Sequence, residues 1–572
     1  MTRCLKYVLV ILFVLYSNTI FAACGGSSPD LIPASHSDND IQDCLDIAID
    51  GDTITVPAGD GTETWDSGLN ITKAITLQGP GKANLTIDCD TGATLYDSSR
   101  ATLCVDVDVS TGTLWRITGF SFTESSAIHA HYDGVIAVRG STDGRIDNND
   151  FTNHNRRISK VYQTIGTALC FDNNTVLLSV QQPTLSAGLY IEPADRETQW
   201  DTPTSWGSIT DAVVIEDNTF TKEYNQTGGA ADGAFGAKII FRYNTCTNMG
   251  VLVHGREANS SRSAMRLEVH DNSFIDDANK DNSAQYPIIW RGGSGLAFNN
   301  TVTGTWAGHV LHLKDYSFDD GECPGATYTY ADDCDAYPCT DQIGRMYDDA
   351  SGDVTNPTST KQVLVPLAFW SNTYSAAADD IPNIFDGCAG TDPTDIMQAD
   401  RDYYVMNASF DGTSGMGVGD AAAYAAFAGD CTTGVYYYES ENYILYKCTD
   451  TDTWTSYYTP YADYPHPLKT PGIVSGTVFA GGGIPESTIV STGGNIRITL
   501  DGATWAATIA DAGAVFDALK AGITGSGVEV TGWNAVVRAG LVNTDVTVIS
   551  TTIIDIDFGA EAGFAKIGRA HV

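Results

Sequence analysis

Short apolar runs recur along the first two thirds of the chain and lack the period of an amphipathic helix. Runs such as Val213-Val214-Ile215 and Ile239-Ile240-Phe241 are rich in β-branched and aromatic residues, which is typical of buried strands. Between residues 149 and 300 the chain also repeats Asn, any residue and usually an apolar residue. The six copies begin at Asn149, Asn174, Asn218, Asn244, Asn272 and Asn300, with spacings of 25, 44, 26, 28 and 28 residues.

The spacing of these copies predicts an all-β solenoid. A unit of this length is too short to bury its own apolar face, so the copies must stack as parallel strands around one shared core. The six Asn side chains are then expected to form a buried hydrogen-bonded ladder that satisfies the backbone groups of the turns. Many copies also spell Asn-x-Ser/Thr, but the ladder explains them without glycosylation.

Residues 38–50 predict an amphipathic helix with acidic residues in its first turn, which would cap the open end of the strand stack. This helix, the string Gly51-Asp52-Thr53-Ile54-Thr55-Val56-Pro57-Ala58-Gly59 and the strand at 75–79 together resemble the start of secreted right-handed parallel β-helix proteins of the pectate-lyase-like fold. Segments 337–345 and 400–404 resemble an uncharacterised group of such proteins from environmental bacteria. The resemblance covers roughly residues 37–470 and implies a right-handed parallel β-helix. It does not specify a function, because this fold hosts lyases, hydrolases, adhesins and scaffolds.

The first 22 residues predict a signal peptide and hence an extracellular or periplasmic protein. Arg3 and Lys6 precede the apolar run 7–16, and Ile20-Phe21-Ala22 provides a cleavage site. A lipoprotein anchored through Cys24 is the alternative. No later apolar run reaches the ~18 residues of a membrane span.

Thirteen cysteines fit an oxidising compartment. Cys431 and Cys448 bracket a hairpin-like segment and are expected to form a disulfide. Cys323, Cys334 and Cys339 fall in or beside a long loop, 316–362, and Cys388 follows it. They lack the paired C-x-x-C spacing of a zinc site, so structural disulfides are favoured there.

The C-terminal third divides into three parts. Segment 431–464 is expected to close the solenoid; nine tyrosines and Trp454 lie between residues 435 and 464. These aromatics could form an apolar plug on the last coil or stack on sugar rings, and the plug is favoured. Residues 478–565 resemble a small β-sandwich module, which is expected to be truncated. Residues 566–572 match a translated sequencing adapter and are given no structural role.

The net charge of −40 excludes non-specific binding to nucleic acid, so a cluster of basic residues is informative. The strands ahead of the repeated Asn residues place basic side chains at one expected turn position. Its members are Arg139, His254, Arg291 and His312, with Glu192 less certain and with Arg256 and Lys314 two residues further on. Like charges stacked about 4.8 Å apart oppose folding unless a counter-ion relieves them.

Two interpretations of this column remain open. The side chains could be turn corners that bond neighbouring carbonyls or Asp147, Asp217 and Asp271. Alternatively, they line a groove for an acidic polysaccharide or cell-surface glycan, because basic groups pair with uronate carboxylates.

If the protein is a polysaccharide lyase, Arg291 or His254 is the candidate base. Arg139, Glu192, Arg256, His312 and Lys314 would then bind substrate. A glycoside hydrolase is less favoured, because no pair of catalytic carboxylates is evident, and a non-catalytic adhesin or scaffold is the alternative. Calcium is the one candidate cofactor, since Asp is plentiful, although no contiguous calcium-loop motif occurs.

Overall fold

The computed structural model describes nineteen stretches of the chain, and every structural statement below applies to them. They are 24–89, 104–124, 134–152, 157–163, 167–178, 187–193, 212–223, 229–255, 263–277, 286–314, 343–347, 362–385, 397–427, 429–461, 464–469, 487–492, 495–500, 545–550 and 553–557. They belong to two compact units, Met1–Ala462 and Asp463–Val572.

Several sequence predictions concern residues outside these stretches. They are the signal peptide 1–22, Arg256, Cys323, Cys334, Cys339, Cys388, most of the loop 316–362, most of the module 478–565 and the tail 566–572.

The first unit is a parallel β-helix, which confirms the fold predicted from the repeat. Each coil contributes one strand to each of three sheets, here called A, B and C, and follows them in that order. Sheet A consists of Cys24–Ser27, Asp30–Pro33, Thr53–Thr55, Thr76–Gln78, Trp115–Thr118, Gly144–Asp147, Leu169–Asp172, Val213–Glu216, Lys238–Arg242, Arg266–His270, Ser294–Phe298, Leu367–Trp370 and Tyr403–Val405.

The other two sheets complete each coil. Sheet B consists of Thr62–Thr64, Thr86–Asp88, Ser121–Thr123, Asp150–Thr152, Thr175–Leu178, Thr219–Lys222, Thr245–Thr247, Ser273–Ile275, Thr301–Thr303, Thr373–Tyr374 and Ala377–Ala378. Sheet C consists of Leu69–Ile71, Val105–Val109, Ile136–Gly140, Arg157–Gln163, Ala187–Pro193, Gly229–Gly233, Gly250–Val253, Ile288–Trp290, Leu311–Lys314 and Asn383–Phe385. A separate hairpin pairs Arg345–Tyr347 with Gln362–Leu364.

Apolar side chains from all three sheets fill the inside of the coils. Because successive residues of a strand point to opposite faces, only alternate positions enter this core. Rings from sheets A and B form a continuous internal stack with centroid separations between 5.4 and 6.4 Å. Its members are Phe120, Phe122, Phe151, Phe171, Phe220, Phe241 and Phe274, and all are buried.

The turn from sheet A to sheet B repeats the same backbone geometry in coil after coil. The residue before each ladder Asn has a positive φ between 53° and 58°. These residues are Asn148, Asn173, Asp217, Tyr243, Asp271, Asn299 and Ser371. A left-handed residue turns the chain sharply, and the following Asn is thereby directed into the interior.

The buried Asn side chains hydrogen-bond from one coil to the next. In Asn244, for example, the backbone N–H and Nδ2 donate to Oδ1 of Asn272 at 2.9 and 3.2 Å, and Nδ2 also donates to the Ile215 carbonyl at 2.8 Å. The same pattern joins Asn149, Asn174, Asn218, Asn244, Asn272 and Asn300 in sequence.

The ladder continues to Asn372 and ends at a carboxylate. Asn300 donates to Oδ1 of Asn372, whose own N–H and Nδ2 donate to Oδ1 of Asp380 at 2.7 and 2.9 Å. Every rung needs an acceptor for the Asn before it, and for Asn372 that acceptor is Asp380. A carboxylate fills this place because it accepts hydrogen bonds without having to donate one onward.

The helix Asp38–Ile47 begins at the N-cap Ser37, whose side chain accepts a hydrogen bond from the N–H of Asp40. Ile41, Cys44 and Leu45 are buried, so the helix packs its apolar side against the first coil. A disulfide joins Cys44 to Cys24. This bond occupies the sulfur on which the lipid-anchor alternative depends.

Two further disulfides are present, Cys89–Cys104 and the expected Cys431–Cys448. Such bonds are typical of oxidising compartments. In the stretches described, no helix is both long and apolar enough to cross a membrane.

The Tyr-rich segment forms a four-stranded sheet, here called the lobe, with strands Met416–Gly419, Tyr436–Glu439, Ile444–Asp450 and Thr453–Tyr458 and the short helix Ala421–Ala426. It does not plug the end of the stack as predicted; it covers the outward flank of sheet A. Leu296, Phe298, Ala368, Trp370 and Tyr404 pack there against Met416, Tyr436, Tyr438, Leu445 and Tyr458.

The last residues of the lobe reach back to earlier coils. Arg242 donates to the carbonyl of Tyr461 at 2.8 Å, and the Tyr461 N–H donates to Oε2 of Glu268 at 3.1 Å. The Tyr461 side chain packs on Val214 and Ile240. The aromatic residues of this segment therefore serve largely to pack against the outward side of sheet A.

In the second unit, the strands Ser487–Thr492, Asn495–Leu500, Asp545–Ser550 and Ile553–Asp557 form an antiparallel sheet, preceded by the 3-10 helix Pro467–Lys469.

The substitution Asn244→Ala tests the contribution of the ladder to stability. It removes the acceptor of the buried Asn218 N–H and one of the three acceptors of Asn218 Nδ2, so we expect the free energy of unfolding to fall by about 2 to 4 kcal/mol. Urea denaturation followed by circular dichroism measures this change. Thr245→Ala, at the exposed neighbouring position, is the control and should shift stability by less than ~0.5 kcal/mol. Equal effects of the two substitutions would contradict the role of the ladder.

Candidate functional site

Side chains on the outward face of sheet C lie in two rows. Val161, Ile191, Val253 and Trp290 point into the core, so the residues on either side of each point outward. The strand register aligns the first row, which contains Lys160, Tyr190, Asp232, Leu252, Ile289, His312 and Asn383. Continuing the same pairing by one residue where needed gives a second row of Arg139, Tyr162, Glu192, Ala234, His254, Arg291 and Lys314.

The register corrects one member of the predicted column. Arg139, Glu192, His254 and Arg291 share a row as expected, but His312 pairs with Ile289 and Asn383 in the other row. Lys314 takes the position level with Arg291. The alignment of this strand with the earlier coils, made from the sequence, was wrong by two residues. Apolar and polar residues alternate in Leu311-His312-Leu313, so a shift of two residues leaves the pattern unchanged.

Three polar residues joined by two contacts occupy the middle of this face. Nε2 of His254 lies 3.0 Å from Oδ2 of Asp232, and its Nδ1 lies 3.3 Å from Nη1 of Arg291. The Asp232 and His254 side chains keep 13% and 28% of their surface exposed, so solvent reaches the cluster. The second oxygen of Asp232, Oδ1, is buried and has no hydrogen-bond partner among the described residues.

These contacts determine the tautomer of His254. Arginine has only donors, so Nδ1 of His254 must accept from Arg291. Nε2 then carries the hydrogen and donates it to Asp232. The edge of the His254 ring also faces Tyr190, at a centroid distance of 6.5 Å.

The first half of the face is a network of paired charges and tyrosines. Arg139 pairs with Asp106, and its guanidinium lies 4.8 Å from the centroid of the Tyr162 ring. Lys160 pairs with Glu192 at 3.2 Å, and both side chains are almost fully buried. Arg157 lies 3.7 Å from the centroid of the Tyr190 ring. A small pocket lies beside Arg139 and Tyr162.

The partners of these basic groups differ from those expected for turn corners. Asp106, Glu192 and Asp232 are the paired carboxylates, and all three lie on sheet C. Asp147 instead contacts Arg116 and Arg145 on sheet A, and Asp271 contacts His270. Glu192, placed among the substrate-binding residues, is buried against Lys160.

Burial lowers the pKa of two candidate residues. It lowers the pKa of His312 to about 4, despite a hydrogen bond from Nδ1 to the Asn383 carbonyl at 3.1 Å. His312 is therefore neutral at pH 7 and stacks on Tyr286 at 4.0 Å. Burial also lowers the pKa of Arg291 to about 10, which still leaves this side chain charged at pH 7. Desolvation opposes the charged form in both residues.

Calcium was the candidate cofactor. Within the described stretches, His, Cys, Asp and Glu side chains form no group of three or more that could hold a metal ion.

Sequence reasoning missed Asp232, Tyr190, Lys160 and Tyr162. The alternation in Arg157-Ile158-Ser159-Lys160-Val161-Tyr162 could have placed Lys160 and Tyr162 on the outward face. The strand Gly229–Gly233 has little apolar signal, so Asp232 could not be assigned to a coil without the register.

The low pKa of His312 predicts acid sensitivity. The unfolded chain, with a His pKa near 6.5, binds more protons than the folded chain between about pH 4 and 6.5, so stability falls as the pH drops through this window. We expect His312→Gln to reduce this loss, which amounts to roughly 3 kcal/mol at most. Urea melts at pH 6.5 and 4.5 measure it. His309→Gln, on the same coil but 40% exposed, is the control, and an unchanged pH dependence in His312→Gln would refute the assignment.

Comparisons with known proteins find three similar solved chains, among them an alginate lyase and an alpha-1,3-glucanase. No protein-family model and no curated protein matches the chain. An alginate lyase from Paenibacillus sp. str. FPU-7 has 15% identity and a TM-score of 0.29, over 48% of this chain and 96% of that chain. The catalytic domain of a GH87 alpha-1,3-glucanase in complex with tetrasaccharides has 11% identity and a TM-score of 0.26, over 66% of this chain and 67% of that chain. Similarities this low carry no argument about the reaction of this chain.

Proposed function

We propose that the outward face of sheet C binds an acidic polysaccharide and that the Asp232–His254–Arg291 cluster cleaves it by β-elimination. The cluster itself carries the proposal: a base, a carboxylate that orients it and a guanidinium are in contact on a solvent-exposed face. In a chain of net charge −40, a site for an anionic polymer must supply cations locally, and Arg291 and Lys314 do so here.

Arg291 is assigned the role of binding the substrate carboxylate. Its contact with neutral His254 is long, at 3.3 Å, whereas a guanidinium binds a carboxylate through two short charge-assisted hydrogen bonds. A uronate would therefore compete successfully for Arg291. Binding also withdraws electron density from the carbon next to the carboxylate, which makes its proton more acidic.

Engagement of Arg291 by the substrate releases Nδ1 of His254. The free lone pair can then remove the proton next to the carboxylate, while Nε2–H remains bonded to Asp232. Asp232 thus holds the ring in position and stabilises the imidazolium that forms. The C–H electron pair becomes the new carbon–carbon double bond, the glycosidic C–O bond breaks, and solvent water protonates the leaving oxygen. The hydroxide that forms then takes the proton from the His254 imidazolium, which restores the neutral base.

A flanking residue suits the binding of a neighbouring sugar. Tyr162 is half-buried and lies in the same row as His254 and Arg291, and tyrosine rings pack against sugar faces.

Incubation with pectate, alginate and other uronate polymers tests the reaction through the near-ultraviolet absorbance of unsaturated products. We expect His254→Gln to lower turnover by roughly 10²- to 10⁴-fold, because Gln keeps a polar side chain but cannot take up the proton. Polymer binding by this variant should be retained.

Arg291→Ala should weaken polymer binding by roughly 10-fold or more and also lower turnover, because the carboxylate loses its charged partner. Lys82→Ala, which removes a surface charge paired with Asp150 on sheet B, is the control for net charge and should behave like the parent protein.

If the protein binds a polymer, Arg291→Ala weakens that binding and no product forms, then the protein is a non-catalytic adhesin or scaffold and the proposed cleavage is wrong. Neither binding nor cleavage across the whole panel would refute the proposal.

A further inference from the structure

The outward side of sheet B carries a regular array of threonines. Each ladder Asn is followed directly by the first outward residue of a sheet B strand, and the second lies two residues further on. Over five successive coils we call this array the threonine face. Its ten positions are Thr175, Leu177, Thr219, Thr221, Thr245, Thr247, Ser273, Ile275, Thr301 and Thr303.

Strand pairing places these positions on a near-rectangular net. The five strands pair in parallel with no shift of register, so Thr175, Thr219, Thr245, Ser273 and Thr301 align in one line. Neighbours along this line are about 4.8 Å apart, and the two outward positions of one strand are roughly 6.6 Å apart. The Asn ladder fixes the height of every strand at one end of the net.

The chemistry of the face is uniform and uncharged. All ten side chains are exposed or half-buried. Its eight hydroxyls have no hydrogen-bond partner among the described residues, so they are available to an external ligand. The β-branched threonines also have few rotamers, which keeps each hydroxyl and methyl group in place. In a protein of net charge −40, ten neighbouring surface positions without a charge suit an uncharged ligand.

We infer that the threonine face binds the surface of an ice crystal. Hydroxyl and methyl groups at fixed, repeated spacing can order water into a matching sheet, and the net approximates the oxygen repeat on a prism face of hexagonal ice. Charged groups would oppose this, because each imposes its own hydration shell. The face lacks the cations that an acidic polymer requires and the aromatic rings that stack on sugars, so a polysaccharide suits it less well.

Partition of the fluorescently labelled full chain into slowly growing polycrystalline ice tests this inference, together with the thermal hysteresis of the same sample. We expect the parent protein to enter the ice and Thr245→Tyr to lose most of both effects, since a ring at the centre of the face breaks its plane. Thr247→Tyr, in the neighbouring line, should act alike. Thr451→Tyr, in an exposed turn of the lobe, is the matched control and should retain both.

The inference is overturned if the parent protein is excluded from ice, or if Thr245→Tyr and Thr247→Tyr enter it as well as the control does. Retention on crystalline cellulose or chitin with exclusion from ice would also overturn it. Circular dichroism confirms that each variant is folded. Uronate cleavage by Thr245→Tyr should be unchanged, so a failure of this inference and a failure of the proposed reaction can be told apart.

Discussion

The structure depends on keeping every coil in phase with the next, and the buried Asn ladder is the interaction that does so. Each sharp turn between sheets A and B buries backbone groups that water cannot reach, and an unsatisfied group there is costly. The ladder satisfies them with a side chain that both donates and accepts, and it ends at Asp380, which needs only to accept. A shift of one residue in any coil would break two rungs and reverse every side chain of that strand.

Because the coils stay in phase, each sheet presents one kind of chemistry over many coils. Sheet A turns ion pairs outward in its early coils and apolar residues in its last coils, where the lobe covers them. Sheet C carries charged and aromatic side chains in mutual contact. Sheet B carries threonine. One repeated coil therefore supports three different surfaces, and the proposed polymer site and the proposed ice site do not compete for residues.

The sequence predicted which side chains of the site share a row on sheet C, but not which of them are in contact. The spacing of the Asn residues placed Arg139, Glu192, His254 and Arg291 in one row, because residues at equal distances from the repeated turn occupy equivalent positions in successive coils. It failed for His312, where the alternation allowed two registers, and for Asp232, which lies in a strand with almost no apolar signal. The tyrosines were correctly interpreted as packing, but their place on the flank of sheet A was not foreseen.

The sequence alone determined the parallel β-helix, the positions of the ladder and the helix at the first coil, because each rests on local spacing and periodicity. Tertiary structure alone decided which carboxylate neutralises each basic group and which face the lobe covers. It also decided whether a charged side chain is buried. All three properties depend on contacts between side chains of different coils. The number of residues between two such side chains does not predict whether they are in contact. Asp232 and His254 are 22 residues apart, whereas Arg242 and Tyr461 are 219 apart.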